Sequence, residues 1–318
     1  MNGKNLLSVA ILSSLAGSAF AFDSSRISGE IIFATGYMSS NSNLSTESDS
    51  FLKDNTKKGS HNDDFIVMPL GSIAYDLGEQ RNQRVYLGTS RDDLAVGDLA
   101  FEIGYQYDIQ NGTQVDVAYL PTVLSGEAWK DPYLTGKDRS KTDVDGHAFR
   151  LKLNSIAGTG FSLDMAYAMT EIDDEQIADK ELHRDADIYY AKAGYLTHLA
   201  PNMGLKSSLG YLHNDAEGKA ETYDQYEVEL SYFLVHNAHT IALTGSYAYR
   251  DYDGQNSIYG KTRSDNRSKL FLAYEYANIA GLENWNLVSF AGVNYNDSNI
   301  NFYSNEEYLA SVGVSYKF

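Results

Sequence analysis

Apolar and polar residues alternate singly through much of this chain. In the final segment, Tyr308, Ala310, Val312, Val314 and Tyr316 are each separated by one mostly small or polar residue. A period of two predicts a β-strand with one face against an apolar environment and the other against water. About fourteen such segments, each about ten residues long, lie near 27–38, 65–76, 83–90, 96–108, 113–123, 144–154, 161–170, 186–198, 205–214, 223–235, 240–251, 267–279, 286–296 and 307–318.

The two faces of most predicted strands differ in chemistry. Val228 and Leu230, for example, alternate with Glu227 and Glu229. Polar residues on one face and apolar residues on the other suit a wall between water and lipid. The faces do not sort cleanly in three segments, which are 65–76, 186–198 and 286–296.

Connections of two lengths alternate along the chain. The short ones, with turn residues such as Asn111-Gly112, are Leu77 to Asn82, Gln110 to Gly112, Ser155 to Gly160, Ala200 to Gly204, His236 to His239 and Ala280 to Asn284. The long polar ones are Ser39 to Asp64, Leu124 to Asp143, Glu171 to Asp185 and Tyr252 to Asn266. Short turns at one end and long loops at the other predict an all-β fold, a transmembrane antiparallel up-and-down β-barrel of about 14 strands.

The first residues have the pattern of an export signal. Lys4 precedes an apolar run from Leu6 to Leu15, and Ala19-Phe20-Ala21 offers a small-x-small cleavage site. A membrane anchor is the alternative, but the run falls short of the roughly 20 residues that a spanning helix needs. We therefore expect a signal peptide over 1–21 and one barrel domain over 22–318.

Composition narrows the classes of protein. After the signal segment no long apolar stretch exists, so a membrane location requires a closed barrel, in which every backbone group is paired. The net charge of −18 argues against nucleic-acid binding, which needs a basic surface. Because the chain has no Cys, we expect no disulfides, and stability must come from the sheet.

Three stretches resemble a family known from Gram-negative bacteria. They are Leu87-Gly88-Thr89-Ser90-Arg91-Asp92-Asp93, Tyr119-Leu120-Pro121-Thr122-Val123 and Asp131-Pro132-Tyr133-Leu134. The family is the domain of unknown function 2860, and the likeness runs from about Ser28 to Phe318. The resemblance implies an outer-membrane location, without an activity. The last strand, with Tyr316 and Phe318, is similar to the closing strand of outer-membrane barrels, which implies recognition by the barrel-assembly machinery.

The sequence offers little support for an enzyme. None of the mature histidines lies in a His-x-Ser or Asp-His arrangement, and acidic pairs such as Asp92-Asp93 are expected to be solvated loop charge. We therefore predict no catalytic residues.

A metal site is also not predicted. Hard oxygen ligands cluster at Asp173, Asp174, Glu175, Asp179, Glu181, Asp185 and Asp187. Their spacing does not match a calcium loop, so an acidic external loop in lipopolysaccharide is the simpler interpretation, with weak cation binding as an alternative. We expect no metal and no cofactor.

Charged residues on the predicted inward face are the main candidate site. They are Glu30, Arg84, Glu102, Asp116, Arg150, Lys152, Asp164, Lys192, Lys206, Glu227, Glu229, Arg250, Lys269 and Glu275, with Lys317 near the end. Their signs nearly balance, which assigns the excess acid to the loops. Such charges either tune the selectivity of a channel or form ion pairs that stiffen the wall. Arg150, Lys152, Lys192 and Lys206 could form a basic stripe facing Glu227 and Glu229.

Aromatic residues in the long connections have two interpretations. They are Trp129, Tyr133, Tyr252, Tyr259, Phe302 and Tyr303. Stacked aromatics could guide a sugar, whereas the simpler interpretation is interfacial or loop packing. The loop around Asp131-Pro132-Tyr133 could fold inward and narrow the pore.

Together these patterns predict a channel. We expect a monomeric outer-membrane pore, embedded in lipid and lipopolysaccharide, through which small polar solutes diffuse passively. The alternative is a non-conducting barrel that acts as a surface scaffold or adhesin through its loops.

Overall fold

The computed structural model describes residues 24–97, 100–121 and 126–318. The predicted signal peptide over 1–21 lies outside the described residues. The strands of the described part are β1 Ile27–Ser40, β2 Asn62–Leu77, β3 Gln83–Thr89, β4 Phe101–Asp108, β5 Gln114–Pro121, β6 Gly126–Trp129, β7 Lys141–Asn154, β8 Phe161–Ile172, β9 Ala186–Ala200, β10 Met203–Ala216, β11 Tyr223–His236, β12 His239–Asn256, β13 Lys261–Tyr276, β14 Trp285–Ser298 and β15 Asn305–Lys317. The described residues also contain one α-helix, α1 Arg91–Val96. Short 3₁₀ turns lie at Ser24–Arg26, Ile156–Gly158, Lys180–Leu182, Ile279–Gly281 and Asn301–Tyr303.

The strands close into an antiparallel cylinder. Each wall strand pairs with its neighbours in the chain, β5 pairs with β7, and β1 pairs with β15. The short β6 lies outside this circuit and pairs only with the outer end of β7. The wall therefore has fourteen strands within the described residues, and the predicted all-β up-and-down barrel is confirmed.

The outer face of the wall is an apolar belt. Large side chains such as Ile31, Phe33, Leu209, Leu270 and Val312 lie on this face and are half or more exposed. Tyrosines and Trp285 join the belt near the strand ends, where rings with one polar edge suit a membrane interface. In water such a surface would be costly, so the belt fits a barrel immersed in a bilayer.

The inner face carries small, polar and charged residues. In β12, for example, Ala242, Thr244 and Ala248 are buried toward the lumen, whereas Leu243 and Tyr247 face outward. One of the three segments whose faces did not sort in the sequence, 186–198, has two distinct faces in β9, where Lys192 lies beside the inward Asp164 of β8.

One end of the barrel has tight turns and the other has long loops. β11 and β12 are joined by two residues, Asn237 and Ala238, with His236 paired to His239 and Asn237 at a φ of +53°. Opposite them, residues 41–61 and 173–185 form long loops. The prediction of a long loop from Tyr252 to Asn266 was wrong, because β12 and β13 extend into it and leave only 257–260 between them.

The third and fourth strands depart most from the prediction. A single strand over 96–108 was expected, but β4 starts at Phe101 and α1 occupies Arg91–Val96. β3 and β4 are only 7 and 8 residues long, about half the length of the 16-residue β2. β3 therefore ends about halfway along the barrel wall, and α1, which follows it, lies inside the lumen. No helix in the described residues is long and apolar enough to cross a membrane.

Candidate functional site

Helix α1 lies inside the barrel and packs against one wall. Its Leu94 is buried in a cluster with Ile32, Phe271 and Phe290, which face inward from β1, β13 and β14. The helix ends at Gly97, whose φ is +80° and whose absent side chain leaves room for Phe271, 2.7 Å from an ideal Cβ position. A left-handed C-terminal glycine with a close neighbour explains why the helix stops there.

Ion pairs hold α1 on the same side of the lumen. The Arg91 guanidinium lies 3.0 Å from a Glu30 carboxylate oxygen of β1 and also contacts Glu275 of β13. Lys317 of β15 adds a second cation 2.5 Å from Glu275. Lys269 donates to the Gly97 carbonyl at 3.2 Å. The sequence prediction for Glu30, Lys269 and Glu275 omitted this partner, because α1 was not predicted.

Asp93 ties α1 to a different wall. Its carboxylate accepts two hydrogen bonds from Arg150 of β7, at 2.8 and 3.1 Å, and one from Lys152 at 3.3 Å. Arg150 also binds Asp164 of β8 through two bonds, at 2.9 and 2.6 Å. The expectation that the Asp92-Asp93 pair is solvated was wrong for Asp93, which is 4% exposed. Helix α1 therefore bridges the lumen.

Two further acids lie behind this network. Glu102 of β4 is 1% exposed and lies 3.8 Å from both Arg150 and Lys152, and one of its oxygens has no hydrogen-bond partner. Asp116 of β5 accepts from the Tyr86 hydroxyl at 2.7 Å. Acids thus surround the two β7 cations on several sides, so the predicted basic stripe is largely neutralised where it meets α1.

The remaining predicted lumen residues lie along the wall. Lys192 is 3.3 Å from Glu229, and Arg250 donates to Gln225 at 2.6 Å and stacks on Tyr223. Arg84 binds Asp76 at 2.8 Å near the turn end. Glu227 and Lys206 each border a cavity that lies beside α1. Whether these charges set selectivity stays a prediction.

Three neighbouring cavities lie beside α1. On the loop side a chamber of about 590 Å³ is bordered by Arg150, Lys192 and Glu229, and these residues also border a narrow space of about 50 Å³, here called the slot. The slot shares Asn154 and Lys206 with a chamber of about 1130 Å³ on the turn side. The narrowest of the three spaces therefore lies beside α1, and Asp131-Pro132-Tyr133 does not border any of them.

The external loops form a second obstruction, here called the loop cap. Its buried apolar residues come from loops all around the barrel, and they are Tyr133, Ile177, Leu182, Ala220, Ile300, Phe302 and Tyr303, with Leu52 and Tyr259 packed against them. Asn43 of the β1–β2 loop donates to the Phe302 carbonyl at 2.9 Å. Because loops from well-separated strands meet, the cap covers the mouth. Four of the six aromatic residues, Tyr133, Tyr259, Phe302 and Tyr303, are packed together here. Trp129 lies beneath the Arg139 guanidinium and Tyr252 beneath that of Arg263.

A polar cluster lies within the loop cap. Glu221 accepts hydrogen bonds from Tyr133 at 3.0 Å and Tyr303 at 3.2 Å, and Arg263 lies 3.8 Å away. The Arg263 guanidinium also sits 3.6 Å above the Tyr303 ring. Burial raises the pKa of Glu221 despite the nearby Arg263. Sequence reasoning missed Glu221 and Arg263, because neither lies in a motif and their contact depends on loop packing.

The acidic loop before β9 is used for structure. Glu175 pairs with Arg184 at 2.5 Å, Asp174 pairs with Lys130, and Asp179 accepts from the backbone of Glu181 at 3.0 Å. Among the described residues no group of His, Asp and Glu is arranged to hold a metal ion.

The comparisons with known proteins identify a family and a likeness in fold. The family model "Protein of unknown function (DUF2860)" matches residues 27–317. No curated protein matches the chain.

Similar solved structures include three barrels. The outer membrane channel DcaP of Acinetobacter baumannii is 10% identical, with 92% of this chain and 96% of that chain covered and a TM-score of 0.47. Outer-membrane expressed OmpT of Vibrio cholerae is 8% identical, with 92% and 97% covered and a TM-score of 0.45. Pseudomonas aeruginosa OprD is 11% identical, with 92% and 96% covered and a TM-score of 0.37.

Proposed function

The chain belongs to the family described as Protein of unknown function (DUF2860), and we propose that it is an outer-membrane channel for passive diffusion of small polar solutes. The observation that carries this proposal is the set of three neighbouring cavities with charged residues in their linings, namely the loop-side chamber, the slot and the turn-side chamber. A barrel that served only as an anchor would need no cavities with charged linings in its interior.

Passage would be limited at two points. Helix α1 leaves the slot as the narrowest part, so its charged rim would be the selectivity region of the channel. The loop cap would have to open, at least in part, before solutes reach the loop-side chamber. Neither step needs a cofactor or a catalytic residue, since solutes move down their own gradients.

The surroundings of the barrel follow from its surface. The wall closes on itself through the pairing of β1 with β15, which supports a monomer. Tyr316 and Phe318 lie on the outward face at the turn end, beside Trp285, where the assembly machinery could bind them. The exposed belt would contact outer-membrane lipid and the loops would contact lipopolysaccharide.

Conductance and solute uptake test the proposal. Purified protein with heat-modifiable migration in detergent gels would be inserted into planar bilayers and liposomes. We expect steady channel openings and swelling of liposomes in small sugars, amino acids or organic acids. Folded protein that is silent in both assays would contradict the proposal.

A non-conducting surface scaffold is the second candidate, and the loop cap favours it. Loops that share an apolar core present a defined surface, as an adhesin requires. The two functions differ in what loosening the cap does: a channel would conduct more, whereas a scaffold would stay silent and lose its binding surface.

A further inference from the structure

One inward row of residues beside α1 is unusually small. Ser162 of β8, Gly194 of β9 and Ser208 of β10 are direct cross-strand partners, and Glu229 of β11 continues the row. Ser162 and Ser208 have short side chains and Gly194 has none, so the lumen is wider beside these three residues. These residues border the slot together with Lys206.

Gly194 marks the point where three side chains converge. A Cβ atom at this position would lie 2.8 Å from Ser162 Oγ, 3.0 Å from Ser208 Oγ and 3.1 Å from Lys206 Cε. Two hydroxyl groups and the stem of a lysine therefore surround a space that any larger residue would fill. Each hydroxyl group can donate one hydrogen bond, so both can donate to an oxygen atom placed in this space.

The charges of the slot leave one cation uncommitted. Asp93 and Asp164 are bound by Arg150 and Lys152. Glu229 is bound by Lys192.

Lys206, by contrast, makes no hydrogen bond or ion pair within the described part of the chain. Among the described charged residues that border the slot, Lys206 is therefore the cation without an acidic partner, whereas Arg150 and Lys152 also lie 3.8 Å from Glu102.

Ser208 supplies an independent sign of a missing partner. Its side chain is only 3% exposed, and its Oγ has no hydrogen-bond partner. A buried hydroxyl without a partner is costly, and this one borders the slot beside Lys206. A ligand oxygen in the slot would satisfy both the hydroxyl and the ammonium group.

We infer that Lys206, Ser208 and Ser162, around Gly194, form a binding site for the carboxylate of a small monoanionic solute in transit. This inference rests on the proposed channel function and names its solute class. A planar carboxylate has one charge to match the single uncommitted cation, and its two oxygens can accept from lysine and serine. A dianion would meet Glu229 with too little positive charge to balance it.

Acetate binding tests the site without requiring conduction. The line width of ¹³C-labelled acetate would be titrated against the full-length folded protein in detergent micelles. We expect Lys206→Gln to weaken the protein-dependent broadening about tenfold, since a charge-assisted hydrogen bond is lost. Ser208→Ala should weaken it less, and Lys206→Arg should retain it.

The matched control removes an equal charge elsewhere. Lys53→Gln neutralises an exposed lysine in the β1–β2 loop and should leave acetate binding unchanged. Equal broadening in the wild type and Lys206→Gln, with both proteins heat-modifiable, would overturn the site. Inorganic phosphate that displaces acetate more effectively than formate does would overturn the assignment to monoanionic carboxylates.

Reversal potentials separate this site from the channel proposal. In bilayers with a KCl gradient, Lys206→Gln should lower the ratio of anion to cation permeability, whereas Lys53→Gln should not. Folded protein that binds acetate through Lys206 but never conducts would contradict the channel while supporting the site. Conduction with permeability ratios and acetate binding both indifferent to Lys206 would contradict the site alone.

Discussion

The two obstructions in this barrel are built by different forces. Helix α1 is held mainly by polar contacts. Arg91 and Asp93 form ion pairs with opposite walls of the lumen, Lys269 donates a hydrogen bond to the Gly97 carbonyl, and Leu94 adds an apolar contact. The loop cap is held mainly by aromatic and aliphatic packing around Phe302.

This difference predicts how each obstruction responds to conditions. Charges bordering hydrated cavities are weakened by salt, because counterions screen them. Apolar packing is insensitive to moderate salt but sensitive to any loss of volume. High salt should therefore weaken the contacts of α1 more than those of the loop cap, and loss of buried volume should loosen the loop cap more than α1.

The largest effect is expected from Phe302→Ala. Phe302 is 1% exposed, and its ring centre lies 5.4 Å from that of Tyr133 and 5.2 Å from that of Tyr303. Truncating a buried Phe costs about 3–5 kcal/mol, so the cap should loosen. We expect faster trypsin cleavage of the external loops and higher conductance.

Phe51→Ala is the matched control for the cap. Phe51 lies in an external loop and is about half exposed, so its truncation should change little. Equal trypsin sensitivity in the two variants would contradict a cap held by buried packing.

The next effect is expected from Arg150→Gln. The variant would lose the bonds to Asp93 and Asp164. Removing one partner of a buried ion pair lowers stability by about 3–5 kcal/mol. We expect a loss near the lower value, because water in the lumen can solvate the remaining carboxylates. Helix α1 should detach from β7 and single-channel conductance should rise, with the wild type approaching the variant at high salt.

Arg84→Gln controls for the lost charge. Arg84 is also inward, but it pairs with Asp76 near the turn end. Its replacement should leave the conductance near the wild-type value. If Arg84→Gln and Arg150→Gln raised conductance equally, net lumen charge rather than the position of α1 would be responsible.

A cross-link tests whether the cap moves at all. Phe51 and Asp138 form an isolated antiparallel bridge between two loops, and the Cα atoms of such pairs lie about 4.5–5.5 Å apart, within reach of a disulfide. Because the chain has no Cys, Phe51→Cys with Asp138→Cys would create a single disulfide. We expect lower open probability when oxidised and recovery with reductant, whereas each single variant should ignore reductant.

The smallest effect is expected from pH. Burial lowers the pKa of His183, but hydrogen bonds to Glu217 and to the Ile177 carbonyl outweigh it and raise the pKa above 6.5. A raised histidine pKa stabilises the closed cap below pH 6.5, and this is lost as pH rises through the higher value. Burial likewise raises the pKa of Glu221 above 4.5, with the same sign.

The cap should therefore open more readily from about pH 6.5 upward. For the partly exposed His183 pair the effect should stay below about 1 kcal/mol. His183→Gln should flatten the pH dependence of open probability, whereas His236→Gln, in a turn at the opposite end, should not. An open probability that falls as the pH rises would contradict the assigned direction.

Most of the wall was predictable because the alternation of side chains is local. Val228 and Leu230 against Glu227 and Glu229 indicate two faces without knowledge of any partner strand. The inward positions of residues such as Arg150 and Lys192 follow from the same parity. Their partners do not, since Asp93 is 57 residues from Arg150 in sequence and its own segment resembles a solvated turn.

The sequence alone determined a closed barrel with an apolar outside and a charged inside, because a period of two acts residue by residue. Only the tertiary structure decided what occupies that interior. The short β3 and β4 release α1 into the lumen, where contacts from distant strands hold it, and the loops find one another only once the cylinder has brought their ends together. Those contacts depend on distances in space, which no local pattern encodes.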